Sequence, residues 1–306
     1  MLLPEQVIQE LVTRGELWES APGLCGMRGS LAALRADVST TLRDLAMTET
    51  RDEWQMPQGV AFQTLETAEY FESFPQWLTA AAHLSGDEQS LARVARSSSP
   101  GDVARRSLEP ASAALPPAVC YHTYAALRET CVEDSVMMTA EETCWRHEGV
   151  RMSPLERGWA FTMREVVFLG GSFETEDFRQ RGIERASELA DSLGLRARVA
   201  VASDPFFAPT SRGKAILQRV KSLKHELLVD CDDGHSLAIA SFNNHERFFG
   251  EAFDITLPTG APACTACVAF GVERWVLAIL MTHGIDEDAW PIMSSATAAH
   301  GAGAAR

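Results

Sequence analysis

Apolar residues near the start of the chain recur with the spacing of amphipathic helices. Pro4 to Leu17 is predicted to form one helix, because Pro4 suits a first helical turn. Ser30 to Met47 is predicted to form a second helix with Ser30 as its N-cap. The two apolar stripes are Val7, Ile8, Leu11 and Val12 in the first helix and Leu31, Leu34, Val38, Leu42 and Leu45 in the second.

From Ala118 onwards the pattern changes to short runs of strand-forming residues. Strands are predicted at 118–124, 143–149, 159–169, 196–203, 225–229 and 236–242, and 264–280 is predicted to be a strand followed by a helix. Further helices are predicted at 173–193 and within 206–224, where Ile216, Val220 and Leu223 would point inward. Ser, Ala and Pro in 97–117 are typical of a surface loop. Helices followed by a mostly antiparallel sheet with inserted helices indicate the α+β class.

The composition limits the possible partners. The chain has 306 residues, with 27 basic and 42 acidic side chains and a formal net charge of −15. This acidity argues against tRNA or another nucleic acid as a partner, because phosphate backbones are bound by basic surfaces. No apolar run approaches the roughly 20 residues of a membrane span, and the N-terminus does not resemble a signal peptide. We therefore expect a cytoplasmic protein that does not act at a membrane.

The seven cysteines are expected to be free thiols, metal ligands or packing residues, because a cytoplasmic chain of this length does not need disulfides. Cys264 and Cys267 have the C-x-x-C spacing of half a structural zinc site. None of the other cysteines offers a second pair of that spacing. Both a structural site and a catalytic metal site therefore remain open from the residues alone.

One basic segment stands out in this acidic chain. Residues 206–224 contain five basic side chains and no acidic one: Arg212, Lys214, Arg219, Lys221 and Lys224. A solvated helix face is the ordinary explanation of such a pattern. The alternative is a docking surface for an acidic partner.

An ordered series of short phrases resembles motifs 2 and 3 of class II aminoacyl-tRNA synthetases. Phe74-Pro75 lies where motif 1, the dimer segment, would be. The resemblance covers roughly residues 60 to 285. It is closest to zinc-dependent seryl-type synthetases, and closer still to their truncated relatives, the amino acid:[carrier protein] ligases. The phrases are Cys120-Tyr-His-Thr-Tyr, Phe161-Thr-Met-Arg-Glu-Val-Val-Phe-Leu-Gly170, Asp204-Pro-Phe-Phe, Leu223-Lys-His-Glu, Ser241-Phe-Asn-Asn-His and Cys267-Val-Ala-Phe-Gly-Val-Glu-Arg-Trp275.

The resemblance implies a binding site for ATP. Arg146 would bind the α-phosphate, Glu148 the adenine amino group, and Arg157 the outer phosphates. Phe161 would stack on adenine, with Arg274 on the other ring face or on the γ-phosphate. Glu226 and Ser241 would hold Mg²⁺, which prefers oxygen ligands. Asn243 and Asn244 would bind the amino acid.

The resemblance also implies a zinc ion held by Cys120, Glu165 and Cys267. Three protein ligands leave a fourth position, which the amino group of the substrate would fill. Cys264 remains a possible alternate ligand.

The implied fold is a class II synthetase-like antiparallel β-sheet flanked by helices, in a homodimer. The division expected is an N-terminal helical segment at 1–60, a catalytic domain at 61–289 and a disordered tail at 290–306. The implied activity is ATP-dependent activation of a small amino acid, glycine or alanine, and its transfer to the phosphopantetheine thiol of a carrier protein. The basic segment would dock that carrier. Two alternatives stay open: a catalytically silent regulatory paralogue, and a tRNA-charging enzyme that needs a separate RNA-binding partner.

Overall fold

The fold follows from a computed structural model that describes residues 1–149, 152–205, 207, 216, 218–232 and 234–291. The helices are α1 (Pro4–Thr13), α2 (Gly29–Met47), α3 (Phe62–Thr67), α4 (Tyr70–Ser73), α5 (Glu88–Arg96), α6 (Pro100–Arg106), α7 (Cys120–Ala126), α8 (Ser172–Ser192), α9 (Phe248–Ala252) and α10 (Val272–His283). The strands are β1 (Leu17–Ala21), β2 (Leu24–Met27), β3 (Val60–Ala61), β4 (Ala80–Ala81), β5 (Ala113–Ala114), β6 (Val136–Trp145), β7 (Ala160–Gly170), β8 (Ala197–Val201), β9 (Lys224–Asp230), β10 (Ser236–Glu246) and β11 (Cys264–Gly271).

A six-stranded sheet in the order β6-β7-β11-β10-β9-β8 forms the centre of the structure, and every neighbouring pair in it is antiparallel. The predicted α+β class and antiparallel sheet are confirmed. Because successive side chains of a strand point to opposite faces, β7 and β11 each contribute to two different cores. On β11, Ala266, Val268 and Phe270 face the helix layer, whereas Cys267 and Ala269 face the opposite side.

The helix layer is built from α1, α2, α8 and α10. Helix α8 lies close to β11, since a Cβ atom on Gly182 would come within 2.5 Å of Val268 Cγ2. Helix α10 is buried almost all round, which explains its nearly uninterrupted apolar sequence. Full burial of a large apolar side chain such as Trp275 stabilises the fold by about 1.5–3 kcal/mol.

The N-terminal prediction is wrong between the two helices. Helix α1 ends at Thr13, before the predicted end at Leu17, and β1 and β2 form a hairpin between the two helices. Gly23 has φ +72° at the hairpin turn, and a Cβ atom there would lie 2.6 Å from the Trp159 backbone nitrogen. Ser30 is not the N-cap, since α2 begins at Gly29 and the Ser30 hydroxyl donates to Glu16. The division into segments at residues 60 and 289 stays a prediction.

The strand predicted at 118–124 is instead the short helix α7. Aromatic residues favour strands by composition, but here burial decides, because Tyr124 and Cys120 of α7 pack into the core on the open face of the sheet. The backbone N–H of Cys120 donates to Glu165 Oε2 of β7 at 3.1 Å. The segment 97–117, predicted to be a loop, contains α6 and β5. The predicted C-terminal tail lies mostly outside the described residues, which end at 291.

Candidate active site

The predicted site residues lie in two adjacent rows across one face of the sheet. The register pairs Asn243 of β10 with Lys224 of β9 on one side and with Cys267 of β11 on the other. The next row runs Glu226, Ser241, Ala269 and Glu165 from β9 to β7. Strands in a sheet are roughly 4.8 Å apart, so the register alone brings groups from distant parts of the sequence together. This face lies opposite the helix layer.

Cys120, Glu165 and Cys267 form a buried cluster at one end of these rows. Their ligand atoms all lie within 4.8 Å of one another. Cys120 contributes from α7, Glu165 from β7 and Cys267 from β11. The structure therefore brings together the three residues that the sequence suggested as metal ligands.

The electrostatics of this cluster fit a bound cation. A hydrogen bond from Cys120 lowers the pKa of the Cys267 thiol, although burial opposes that shift. Burial, followed by the charge of Cys267, raises the pKa of Glu165 to about 8. Two sulfur donors and one carboxylate are a donor set that zinc accepts, and three protein ligands leave one position for a substrate. The residues present thus fit a zinc ion.

Cys264 is not an alternate ligand. It lies three positions before Cys267 on β11, which pairs with β7 without a bulge along its whole length. An odd separation places the two side chains on opposite faces of the sheet. The same geometry excludes a structural C-x-x-C site, because the two thiols cannot reach one metal ion.

Two cavities open on this face of the sheet. The first, which we call the metal-side cavity, contains the three cluster residues and has a wall of aromatic residues. Within the wall, the Phe74 and Trp77 rings stack at a centroid separation of 5.3 Å. Asn243 also lines the cavity and donates to Cys267 Sγ at 3.5 Å. The aromatic wall consists of Tyr70, Phe74, Trp77, Tyr121, Phe248 and Phe249.

Asn244, the other predicted substrate-binding amide, also lines the metal-side cavity. Its side-chain amide donates to Glu176 Oε2 of α8 at 3.0 Å. That bond ties Asn244 to the helix layer, which leaves Asn243 as the amide nearer the metal cluster. Both residues belong to β10, which is longer than predicted and ends at Glu246.

The second cavity, which we call the arginine cavity, is lined by all seven residues predicted to bind ATP and magnesium. They are Arg146, Glu148, Arg157, Phe161, Glu226, Ser241 and Arg274. The structure therefore gathers residues from β7, β9, β10, α10 and the connection between β6 and β7. Glu226 and Ser241 are direct cross-strand partners.

The arginines are held in place by bonds to the protein. Arg146 Nε donates to the Pro117 carbonyl at 2.8 Å, and its guanidinium lies 5.4 Å from the centre of the Phe161 ring. Arg274 Nε donates to the Glu156 carbonyl at 2.7 Å. Burial lowers the pKa of Arg274, and the nearby Arg157 and Arg146 lower it further against the opposing effect of Glu148. The guanidinium groups suit an anion such as a polyphosphate, and the same cavity is also lined by glutamate side chains.

The structure also shows cavity residues that the sequence did not indicate. Cys25 and Met27 of the β1–β2 hairpin line the arginine cavity, so the N-terminal segment forms part of its wall. The hairpin is anchored by the Gly23 carbonyl, which accepts from the Trp159 backbone N–H at 2.8 Å. The flexible turn composition at 21–26 was the only available signal, and it does not say where a hairpin will pack.

The assignment of Lys224 to a docking surface is wrong. Lys224 is only 9% exposed and lines both cavities. Its ammonium lies 2.6 Å from Asp204 Oδ1 and 3.1 Å from Glu226 Oε1. Burial alone would lower the pKa of Lys224, but the two carboxylates raise it above its ordinary value.

The rest of the basic segment differs from the prediction in its apolar positions. Ile216 and Val220, expected to point inward, are 64% and 77% exposed. Arg219 is exposed and donates to Ser203 Oγ at 3.0 Å. Lys221 is also exposed and pairs with Glu246 at 2.8 Å. Arg212 and Lys214 lie outside the described residues.

Comparison with solved structures defines the class of the fold. The chain is similar to the M. kandleri SerRS in a crystal structure with A. aeolicus tRNASec, with a TM-score of 0.86 and 21% identity. That match covers 98% of this chain and 61% of the other. The fold is that of the catalytic region of class II aminoacyl-tRNA synthetases.

Comparison with curated proteins defines the family. The chain is 38% identical over 241 residues to amino acid–[acyl-carrier-protein] ligase 1 of Bradyrhizobium diazoefficiens, covering 78% of this chain and 73% of the relative. It is 39% identical over 232 residues to ligase 2 of the same organism, covering 74% and 69%. The chain belongs to the amino acid–[acyl-carrier-protein] ligase family. No protein-family model matches the chain.

Among the described residues, no helix combines the length and the apolar character that a bilayer-spanning helix needs.

Proposed function

We propose that this protein activates a small amino acid with ATP and transfers the aminoacyl group to the phosphopantetheine thiol of a carrier protein. The observation that carries the proposal is a buried cluster of two thiols and a carboxylate beside a cavity lined by three arginines, in a chain that shares 38% identity with an amino acid–[acyl-carrier-protein] ligase. Glycine or alanine is the expected substrate.

The first half-reaction joins two anions. A carboxylate oxygen of the amino acid forms a bond to the α-phosphorus, and the bond to the bridging oxygen breaks as pyrophosphate leaves with its electron pair. No proton has to move, so positioning and charge stabilisation supply the catalysis. Arg146 would hold the α-phosphate, and Arg274 with Arg157 would hold the outer phosphates.

Two metal ions belong to the proposal. Cys120, Glu165 and Cys267 would hold Zn²⁺, which when bound accepts the substrate amine at its open position and so selects a free α-amino acid. Glu226 and Ser241 would hold Mg²⁺ with the phosphates. Glu148 and Phe161 would bind adenine, and Asn243 would bind the amino acid.

The carrier is proposed to dock on the exposed part of the basic segment, Arg219 and Lys221 with Arg212 and Lys214. The exposed apolar side chains of Ile216 and Val220 lie in the same stretch. Carrier proteins of this kind are usually acidic, so complementary charge would steer the encounter. The proposal also includes a cytoplasmic homodimer with the Phe74-Pro75 segment at its interface. It includes no tRNA partner, and it keeps the division of the chain at residues 60 and 289.

ATP–pyrophosphate exchange across a panel of small amino acids tests the first half-reaction. Exchange with glycine or alanine supports the proposal, and no exchange with any amino acid favours a silent binding module. The second half-reaction is tested by offering holo-carrier and tRNA to the protein carrying the adenylate. Transfer to tRNA but not to holo-carrier would refute the proposed acceptor.

Reversal of charge at Lys214, Arg219 and Lys221 tests the docking surface. We expect transfer to holo-carrier to slow by about 10-fold or more, because steering charges act mainly on the rate of association. Exchange should stay unchanged, since Arg219 and Lys221 are exposed and line neither cavity. An equal loss of exchange and transfer would count against docking at this surface.

A further inference from the structure

Lys224 is a cation placed between the two cavities. Only two cationic side chains line both of them, Arg146 and Lys224, among the residues the structure describes. Arg146 comes from the connection after β6, and Lys224 begins β9 on the opposite side of the site. If ATP occupies the arginine cavity and the amino acid the metal-side cavity, the bond between them forms at this boundary.

The cross-strand register places Lys224 on the amino acid side of that boundary. It shares a row with Asn243 and Cys267, whereas Glu226 and Ser241 lie in the neighbouring row. An amine held at the metal cluster therefore leaves its carboxylate pointing along the row toward Asn243 and Lys224. The amine and carboxylate of an α-amino acid are one carbon atom apart, so both ends can be bound within the row.

The ammonium of Lys224 is fixed by its surroundings. Asp204 Oδ1 lies 2.6 Å from it, and Asp204 is itself held by Gln218, whose side-chain amide donates to Asp204 Oδ2 at 2.9 Å. The same Gln218 accepts from the backbone N–H of Asp204 at 2.8 Å. Such a bonded chain restricts the rotamers of a long side chain, which lowers the entropy lost when it binds a ligand.

We propose that Lys224 binds the carboxylate of the amino acid and directs it at the α-phosphate, with Asp204 and Gln218 as positioning residues. The inference rests on the proposed function, because it assumes that adenylate forms here. The positive charge of Lys224 offsets part of the repulsion between the substrate carboxylate and the α-phosphate as they approach. Arg146 then binds the α-phosphate, and Lys224 binds the carboxylate that attacks it.

The test uses the zinc-loaded protein and the Lys224→Met variant, which keeps the length of the side chain and removes its charge. The kcat/KM of exchange for the amino acid should fall by about 100-fold, while the Kd for ATP and the zinc content stay close to wild type. Lys224→Arg should recover part of the loss. The exposed pair of Arg198 with Asp230 on the neighbouring strands supplies the matched control, and Arg198→Met should exchange normally.

A double variant separates the loss of the contact between Lys224 and the substrate from the effect of leaving Asp204 unpaired. Lys224→Met removes the cation that faces the carboxylates of Asp204 and Glu226, and a buried carboxylate left without its cation destabilises the fold. Lys224→Met with Asp204→Asn removes one charge of each sign, and it should lose exchange to the same extent. Exchange within about 3-fold of wild type in the double variant would overturn the proposal.

An amino alcohol distinguishes the carboxylate from the rest of the substrate. The alcohol that corresponds to the activated amino acid keeps the amine and lacks the carboxylate. Its inhibition constant should be the same in wild type and Lys224→Met, whereas the KM of the amino acid should rise. A loss of ATP affinity as large as the loss of exchange would instead assign Lys224 to the nucleotide. If the wild-type protein activates no amino acid, the proposed function has failed and not this inference alone.

Discussion

The metal-side cavity and the arginine cavity occupy one face of one sheet, but they present different functional groups. The metal-side cavity brings together Cys120, Glu165 and Cys267, two thiols and a carboxylate whose donor atoms suit a metal ion. The arginine cavity brings together Arg146, Arg157 and Arg274, which need an anion. Under the proposed function, each cavity would bind one of the two reactants, and we expect the reaction at the boundary where the cavities meet.

This contrast predicts that damage to one cavity will leave the other intact. Cys120→Ala and Cys267→Ala should each lose the metal and lower exchange by roughly 1000-fold or more, because the amine loses the position that holds it. ATP binding should persist, since neither thiol lines the arginine cavity. Metal analysis, exchange kinetics and ATP titration measure the three effects.

Cys264→Ala is the matched control for the thiol variants. Its side chain is buried but lies on the other face of β11. We expect full metal content and normal exchange, with a stability cost of about 1 kcal/mol. A variant lacking Cys267 that still bound one metal ion per chain would show that the ligand assignment is wrong.

The reciprocal experiment alters a residue of the arginine cavity and leaves the metal cluster unchanged. Arg274→Ala should weaken ATP binding by about 10- to 100-fold, since a hydrogen bond to a charged group contributes about 1.5–3 kcal/mol. Zinc content should stay normal, because Arg274 lies on α10 and does not line the metal-side cavity. Calorimetric titration with ATP measures the effect, and loss of zinc in this variant would contradict the separation of the cavities.

The smallest effect expected is a change in stability with pH in the zinc-free protein. The pKa of Glu165 is raised from 4.5 to about 8, mainly by burial. A raised pKa gives stability that is present below the unfolded value and is lost as pH rises through the folded value. Glu165 should therefore destabilise the zinc-free fold increasingly between pH 5 and 8.

Comparison with Glu165→Gln isolates this carboxylate, because the lowered pKa of Cys267 acts in the opposite direction. Without zinc, the variant should become more stable than wild type by about 1–3 kcal/mol as pH rises from 5 to 8. With zinc bound, wild type should be more stable than Glu165→Gln, because the variant lacks an anionic ligand. Urea unfolding at several pH values measures both, and a pH-independent difference would contradict the role of Glu165.

Much of the site could be proposed from the sequence because an ordered series of short phrases resembles those of a known family. The phrases at Phe161, Ser241 and Cys267 sit on long strands whose composition favours a sheet, and the structure gathers their side chains into the two cavities. The errors arose where packing overrides local preference. Cys120 is in a strand-like phrase, yet α7 forms because its aromatic residues are buried against the sheet. The composition of the basic segment also gave no indication that Lys224 is buried.

The sequence by itself indicated the class of fold and, through its resemblance to a known family, the residues proposed for the metal cluster and the nucleotide site. The class of fold follows from the order of the predicted helices and strands, whereas the site residues follow from the resemblance. Only the tertiary structure decided between Cys264 and Cys267, because strand register sets which thiol faces the cluster. It also decided the position of Lys224 and placed the N-terminal hairpin in the wall of the arginine cavity. Burial and cross-strand register depend on contacts between distant residues, and local patterns do not encode them.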